Sequence, residues 1–183
     1  MKRALIVIDV QESFRVAPLW DDMGNQQIAE PVNALVRAAR AAGDLVVWVL
    51  HTAPGSGTPF DPELGHVRFL DELEQPAAGE PVLYKTVHNA FTTTNLQHLL
   101  TQAGVGELWL CGIRTEQCVE TTTRLASDLG YQAVFVTDAT TTNPVGGLSA
   151  EQIIERTEAA LRDRFARIAT VAELTAEREP STA

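Results

Sequence analysis

Three residues stand out for the chemistry their types could do together. Cys118 carries a thiol that can attack a carbonyl carbon, Asp9 a carboxylate that can take up and return a proton, and Lys85 an ammonium that can hold both anions. A thiol nucleophile needs a base for its proton, a donor for the leaving group and positive charge nearby, and this set supplies all three without a histidine. Singly, each residue has an ordinary structural role. An aspartate ending a strand commonly forms a turn, a lysine after a strand commonly lies at a solvated edge, and a cysteine near a helix start can be a small buried hydrophobe. At a helix start beside an ammonium, Cys118 is expected to have a lowered pKa and thiolate character. The case for chemistry rests on a fold that brings three distant points of the chain together.

The elements that must position them are legible as short apolar or β-branched runs alternating with longer segments of helical period. That alternation is the pattern of crossover units around a parallel sheet buried on both faces. Strands are expected over Ala4–Val10, Leu45–His51, Val82–Lys85, Glu107–Ile113, Ala133–Thr137 and Arg167–Val171, with helices near Ile28–Ala42, Asn95–Ala103, Thr115–Leu129 and Ala150–Arg164. The fold class is α/β: a three-layer αβα sandwich with a six-stranded, mainly parallel, Rossmann-like sheet of order 3-2-1-4-5-6. In such sheets ligands bind beyond the carboxyl ends of the strands. Asp9 closes the first strand, Lys85 the third, and Cys118 lies in the helix entry after the fourth.

Boundary signals support these elements. Thr94 with Gln97 and Ser149 with Gln152 have capping-box spacing, and Gly43, Gly104 and Gly130 supply C-terminal stops. Cys118, Thr122, Leu125, Ala126 and Leu129 form one stripe, so the first turn of that helix should face the strand ends. Thr52 to Pro81, with five prolines and four glycines, is too long for an ordinary connection and is expected to be a functional loop or lid.

Composition bounds the rest. With 183 residues and 45% hydrophobic content the chain suits one domain, placed at residues 1–175, with a flexible tail at 176–183. A net charge of −10, from 24 acidic and 14 basic residues, disfavours nucleic acid and anionic membranes as partners. No apolar run approaches the roughly 20 residues that span a bilayer. The apolar start Ala4–Ile8 is interrupted by Asp9 and lacks a small-residue cleavage site, so it reads as a strand and not a signal peptide. Two cysteines, Cys111 and Cys118, make neither a disulfide framework nor a CxxC pair, which points to the cytoplasm.

The stretch Leu110-Cys111-Gly112-Ile113-Arg114-Thr115-Glu116-Gln117-Cys118-Val119-Glu120-Thr121-Thr122, continuing through Ala126 to Gly130-Tyr131, resembles the nucleophile segment of isochorismatase-like cysteine hydrolases. The resemblance extends to Ile8-Asp9-Val10-Gln11 with Phe14, to Lys85 followed by Ala90-Phe91, and to Thr137-Asp138-Ala139-Thr140. It covers Ala4 to Val171 with segments in the family's order. It implies a catalytic triad of Cys118, Asp9 and Lys85, a cis peptide joining Ile113 to Arg114, and an oxyanion hole made by the backbone N–H groups of Arg114 and Cys118. It further implies a pocket bordered by Phe14, Trp20, Phe91, Ile113 and Leu148, and assembly as a homodimer or homotetramer.

The same resemblance narrows the chemistry. Family nicotinamidases carry an Asp-x-His metal motif after the second strand, and here that position reads Leu50-His51-Thr52-Ala53, without the aspartate and the second histidine. His51, His66, His88 and His98 show no ligand spacing, so no metal and no cofactor are expected. Isochorismatases proper replace the cysteine; with Cys118 present, the implied reaction is hydrolysis of a C–N bond in a small amide through a thioester. Arg114 stands where small residues are frequent in the family, and either recognises a substrate carboxylate or packs outward into an interface, the latter being slightly preferred. Three alternatives stay open: hydrolysis of an ester or enol ether, thiol redox chemistry between Cys111 and Cys118, and a non-catalytic binding module.

Overall fold

A computed structural model describes residues 1–176 of the 183. The strands are β1 (Lys2–Ile8), β2 (Leu45–His51), β3 (Val82–Lys85), β4 (Val105–Ile113), β5 (Gln132–Thr141) and β6 (Arg167–Ala169). They form one sheet, ordered β3-β2-β1-β4-β5-β6, in which every neighbouring pair is parallel. Each strand alternates its side chains between two apolar clusters. Leu5, Val7, Val46, Trp48, Trp109, Cys111, Val134 and Val136 face one cluster. Ala4, Ile6, Ile8, Val47, Val49, Leu108, Leu110, Ala133 and Phe135 face the other. This two-sided burial explains why the strands read as unbroken apolar runs.

Helices cover both faces. In chain order they are α1 (Glu12–Arg15), α2 (Ala29–Ala41), α3 (Leu96–Ala103), α4 (Glu120–Asp128), α5 (Ala150–Leu161) and α6 (Val171–Ala176). The α2 helix buries Ala29, Val32, Leu35, Val36 and Ala39, spaced by three and four residues, against the first cluster, where Leu174 of α6 joins it. Leu96 and Leu100 of α3, Ala126 of α4 and Leu161 of α5 pack into the second. Each fully buried aliphatic side chain of this kind contributes roughly 1.5–3 kcal/mol.

Several expected boundaries shift for identifiable reasons. The fifth strand runs on to Thr141, past the polar Thr137-Asp138, because its register to β4 slips between Leu110 and Gly112 and pairing resumes at Thr140. Ser149 and Gln152 form the reciprocal capping box, but Thr94 and Gln97 do not: the Thr94 hydroxyl donates to Ala90 O and accepts from Leu96 N–H, and Asn95 becomes the cap position. The expected helix Thr115–Leu129 opens as a π-helical turn, Thr115–Val119, before α4, and Leu129 lies exposed at its C-terminal cap. Gly43, Gly104 and Gly130 all take positive φ at helix ends. The 52–81 segment is pinned rather than free: Glu12 N–H bonds Arg68 O, Leu70 N–H bonds Val10 O, and Ser13 Oγ donates to His66 O. The 175/176 boundary falls in the last turn of α6, and the tail expectation for 177–183 lies outside the described residues.

Chain order runs outward in both directions from the adjacent pair β1 and β4, which makes their carboxyl ends the topological switch point. Close contact there requires Gly112: at its φ of 126° an added Cβ would lie 1.9 Å from Ile8 O.

Candidate active site

The residues at the switch point come from the ends of five strands. Asp9 follows β1 in the left-handed region, φ 55°, with its N–H bonded to Val49 O at 2.8 Å, a conformation that aspartate tolerates better than most side chains. His51 ends β2 and Lys85 ends the edge strand β3. Arg114 and Cys118 follow β4, and Asn143 follows β5. A cavity of about 190 Å³ opens among Asp9, Phe14, His51, Phe60, His88, Arg114, Cys118 and Asn143. A larger hollow of about 630 Å³ lies at the amino ends of the strands, among Lys2, Asp44, Gly79 and Glu80, and no cysteine or histidine lines it. The smaller cavity, where the strand-end residues gather, is the candidate site.

Asp9 and Cys118 line this cavity, and the Lys85 ammonium, which does not, lies 2.7 Å from Asp9 Oδ2 and 3.3 Å from Cys118 Sγ. Lys85 and Asp9 are fully buried and Cys118 nearly so. Beyond this ion pair, the Asp9 carboxylate has the Cys118 thiol as its side-chain neighbour. Burial pushes the Asp9 carboxyl above its ordinary value of 3.8, against the opposing pull of Lys85. Burial and the Asp9 charge push the Cys118 thiol up to about 12, with Lys85 again opposing. This corrects the expectation of a lowered thiol pKa: the sheet and the carboxylate outweigh the dipole of a turn that is not a regular α-helical start. The raised pKa favours the thiol form of the sulfur, so a nucleophilic role would require a base beside it.

His51 was not singled out by sequence. Its Nδ1 lies 3.3 Å from Lys85 Nζ, and burial, then Lys85 and His88, lower its pKa to about 4, so the ring is neutral near pH 7 and accepts from the ammonium. Gln11 grips the His51 backbone from both sides: Oε1 accepts from His51 N–H at 2.7 Å, and Nε2 donates to His51 O at 3.0 Å. The only sequence signal was Gln11 itself, two residues after Asp9.

The turn carrying Cys118 is held from behind. Thr122 Oγ1 donates to Cys118 O at 2.6 Å and accepts from Ala90 N–H at 3.0 Å. Two residues after Cys118, Glu120 is gripped by Arg124, Arg156 and Thr157. The peptide between Ile113 and Arg114 is cis, and the Arg114 N–H makes no hydrogen bond within the described residues. The Arg114 side chain borders the cavity, with Nη2 3.4 Å from Glu116 Oε1 and Nε donating to Thr142 Oγ1 at 3.4 Å, so it does not pack outward as slightly preferred from sequence.

Of the expected pocket residues, Phe14 borders the cavity, edge-on to Phe60 at 4.9 Å. The others do not. Trp20 packs in the first core cluster beneath the Arg15 guanidinium, and Ile113 is buried in the same cluster. Phe91 stacks on Tyr131 in the second, and Leu148 lies on the exterior beside Val145, Ile153 and Arg156. Aromatics near the site in sequence went to the core because the sheet faces offered more area to bury. Leu19, Phe60, His88 and Asn143 stand around the cavity instead. Cys111 and Cys118 point into opposite core clusters and both are free thiols, which removes the geometry a redox pair would need. Among the described residues no three His, Cys, Asp or Glu side chains converge as metal ligands, and no helix is long and apolar enough to cross a membrane.

Comparison with known proteins places this geometry in context. The chain matches the isochorismatase domain family over residues 3–173. It is 35% identical over 166 residues to a streptothricin hydrolase of Streptomyces noursei, covering 90% of this chain and 58% of that protein. Ureidoacrylate amidohydrolase RutB of Klebsiella pneumoniae is 30% identical over 171 residues, covering 75% of this chain and 72% of that one. Among solved structures, an isochorismatase from Pseudomonas putida superposes with a TM-score of 0.84 at 33% identity, covering 93% of this chain and 89% of the other.

Proposed function

The chain belongs to the isochorismatase family of hydrolases, and from that premise we propose that it cleaves a C–N bond of a small amide through a thioester on Cys118. One observation carries the reading: a buried ammonium in contact with both a carboxylate and a thiol whose residues line a cavity. Names borne by two relatives, a streptothricin hydrolase and a ureidoacrylate amidohydrolase, favour C–N chemistry over ester or enol ether cleavage.

The steps follow from where protons can go. Asp9, made more basic by burial, takes the Cys118 proton as the sulfur attacks the substrate carbonyl carbon. The oxygen becomes an oxyanion held by the N–H groups of Arg114 and Cys118, a type of contact worth about a hundredfold or more in rate. As the C–N bond breaks, Asp9 returns its proton to the leaving nitrogen. Water then enters, Asp9 removes its proton, hydroxide adds to the thioester, and collapse breaks the C–S bond, releasing the acid while the Cys118 sulfur takes the proton back from Asp9. The Lys85 ammonium balances whichever of Asp9 or Cys118 carries the negative charge. Because the two anions share one cation, they titrate as a pair.

A panel of small amides assayed for ammonia or amine release, with Cys118→Ala as control, tests this. Release by the wild type and none by the variant is expected; equal release by both would refute the cysteine mechanism.

A further inference from the structure

Resting on that hydrolase reading, we propose that Asn143 determines specificity: its Oδ1 accepts an N–H from a small, uncharged carboxamide, and the same site turns away the matching carboxylate. Asn143 is 3% exposed and borders the cavity that holds Cys118. Its Nδ2 donates to Pro144 O at 3.1 Å, which fixes the orientation of the amide, since the flipped rotamer would set two oxygens against each other. Its Oδ1 has no partner among the described residues. A buried acceptor in a ligand cavity is built for a donor that arrives with the ligand.

Charge around the cavity points the same way. Asp9 borders it directly, so an entering anion meets a carboxylate. The Arg114 guanidinium could compensate, but it faces Glu116 at 3.4 Å and Thr142 Oγ1 at 3.4 Å, and the Glu116 oxygens are buried with no hydrogen bond of their own. Drawing Arg114 to a substrate anion would strand the Glu116 carboxylate. At about 190 Å³ the cavity is below the range of roughly 300–1,000 Å³ usual for drug-sized ligands. Phe14 and Phe60 give it an apolar side. A compact neutral body with an amide N–H satisfies every wall; an ester leaves Asn143 Oδ1 unpaired, and a carboxylate adds repulsion.

Iodoacetamide and iodoacetate test the idea without a known substrate. They deliver the same CH₂ to sulfur with loss of iodide and differ only in carboxamide against carboxylate. Rates at Cys118 are read by mass spectrometry on the tryptic peptide 115–124 and divided by the rates of each reagent with glutathione. In the wild type the normalised ratio of iodoacetamide to iodoacetate should exceed one by about tenfold or more, the factor a lost pairing typically carries. Asn143→Leu should bring that ratio down by about tenfold, with Asn143→Ala as the second variant should leucine impair folding. A wild-type ratio near one, or a ratio untouched by both variants, overturns the proposal. Alkylation of Cys118 by neither reagent in the folded protein, with both reacting after unfolding, would instead bring down the nucleophile reading beneath it, and the proposal with it.

Discussion

Cys111 and Cys118 lie seven positions apart, one in β4 and one in the turn that follows it, and have the same side chain, yet their surroundings differ. Cys111 sits within β4, wholly buried, its sulfur 3.7 Å from Ile6 O, in the cluster shared by Trp48 and Trp109. Burial alone pushes its pKa up. Cys118 lies past the end of the same strand on the other side of the sheet, and although burial raises its pKa too, an ammonium and a carboxylate stand beside it. Desolvation is common to both sulfurs and does not distinguish them. What differs is the paired charge, which in the proposed mechanism lets a proton leave Cys118 at the moment of attack. A strand end is where that becomes possible: the backbone stops alternating across the sheet, and side chains from neighbouring strands converge.

The largest effect that would sharpen this contrast is on turnover. Cys118→Ala should lower kcat by at least about 10⁴-fold, as removal of a covalent nucleophile does, while Cys111→Ala should stay within about threefold. A comparable loss in both would erase the distinction. Next, Asp9→Asn should cost about 10²–10⁴-fold in kcat, the span of general acid–base catalysis, with circular dichroism showing the fold retained.

The pH profile follows from the direction of the Asp9 shift. Below its folded pKa Asp9 is protonated and cannot take the Cys118 proton, so kcat/KM should fall as pH drops. Because burial raises that pKa, the midpoint of the acid limb should lie above 3.8, and it should vanish in Asp9→Asn. A midpoint at or below 3.8 would mean that Lys85 dominates over burial. The smallest effect is on stability. Cys111→Ala should destabilise by about 1–2 kcal/mol in denaturant unfolding, because it leaves a small void in a fully buried apolar cluster, and Cys118→Ala, beside the cavity, by less.

The sheet was legible because its central strands are buried on both sides over most of their length and so carry unbroken apolar runs, as Leu45–Leu50 shows. The extension of β5 through Asp138 was not, because its continuation depends on a slipped register with β4 that no local pattern encodes. The same holds at the site. Asp9, Lys85 and Cys118 could be picked out by residue type and by resemblance to a family. Trp20, Phe91 and Leu148 could not be placed, since large apolar side chains serve core and cavity alike and only three-dimensional competition for area separates them. His51 escaped because a histidine was weighed only as a metal ligand or a bystander. Its contact with Lys85 depends on pairing between β2 and β3, in which His51 aligns with Lys85. The raised Cys118 pKa was likewise hidden, because sequence shows the nearby charge but not the depth of burial.

The most direct test of the central claim is to trap the acyl group. Acid quenching of enzyme during turnover of a slow amide, followed by trypsin, separates the two sulfurs, since Cys118 lies on peptide 115–124 and Cys111 on peptide 86–114. The account predicts the acyl mass on peptide 115–124 alone, absent in Cys118→Ala. Amide turnover by Cys118→Ala at the wild-type rate, or the acyl group on peptide 86–114, would contradict it.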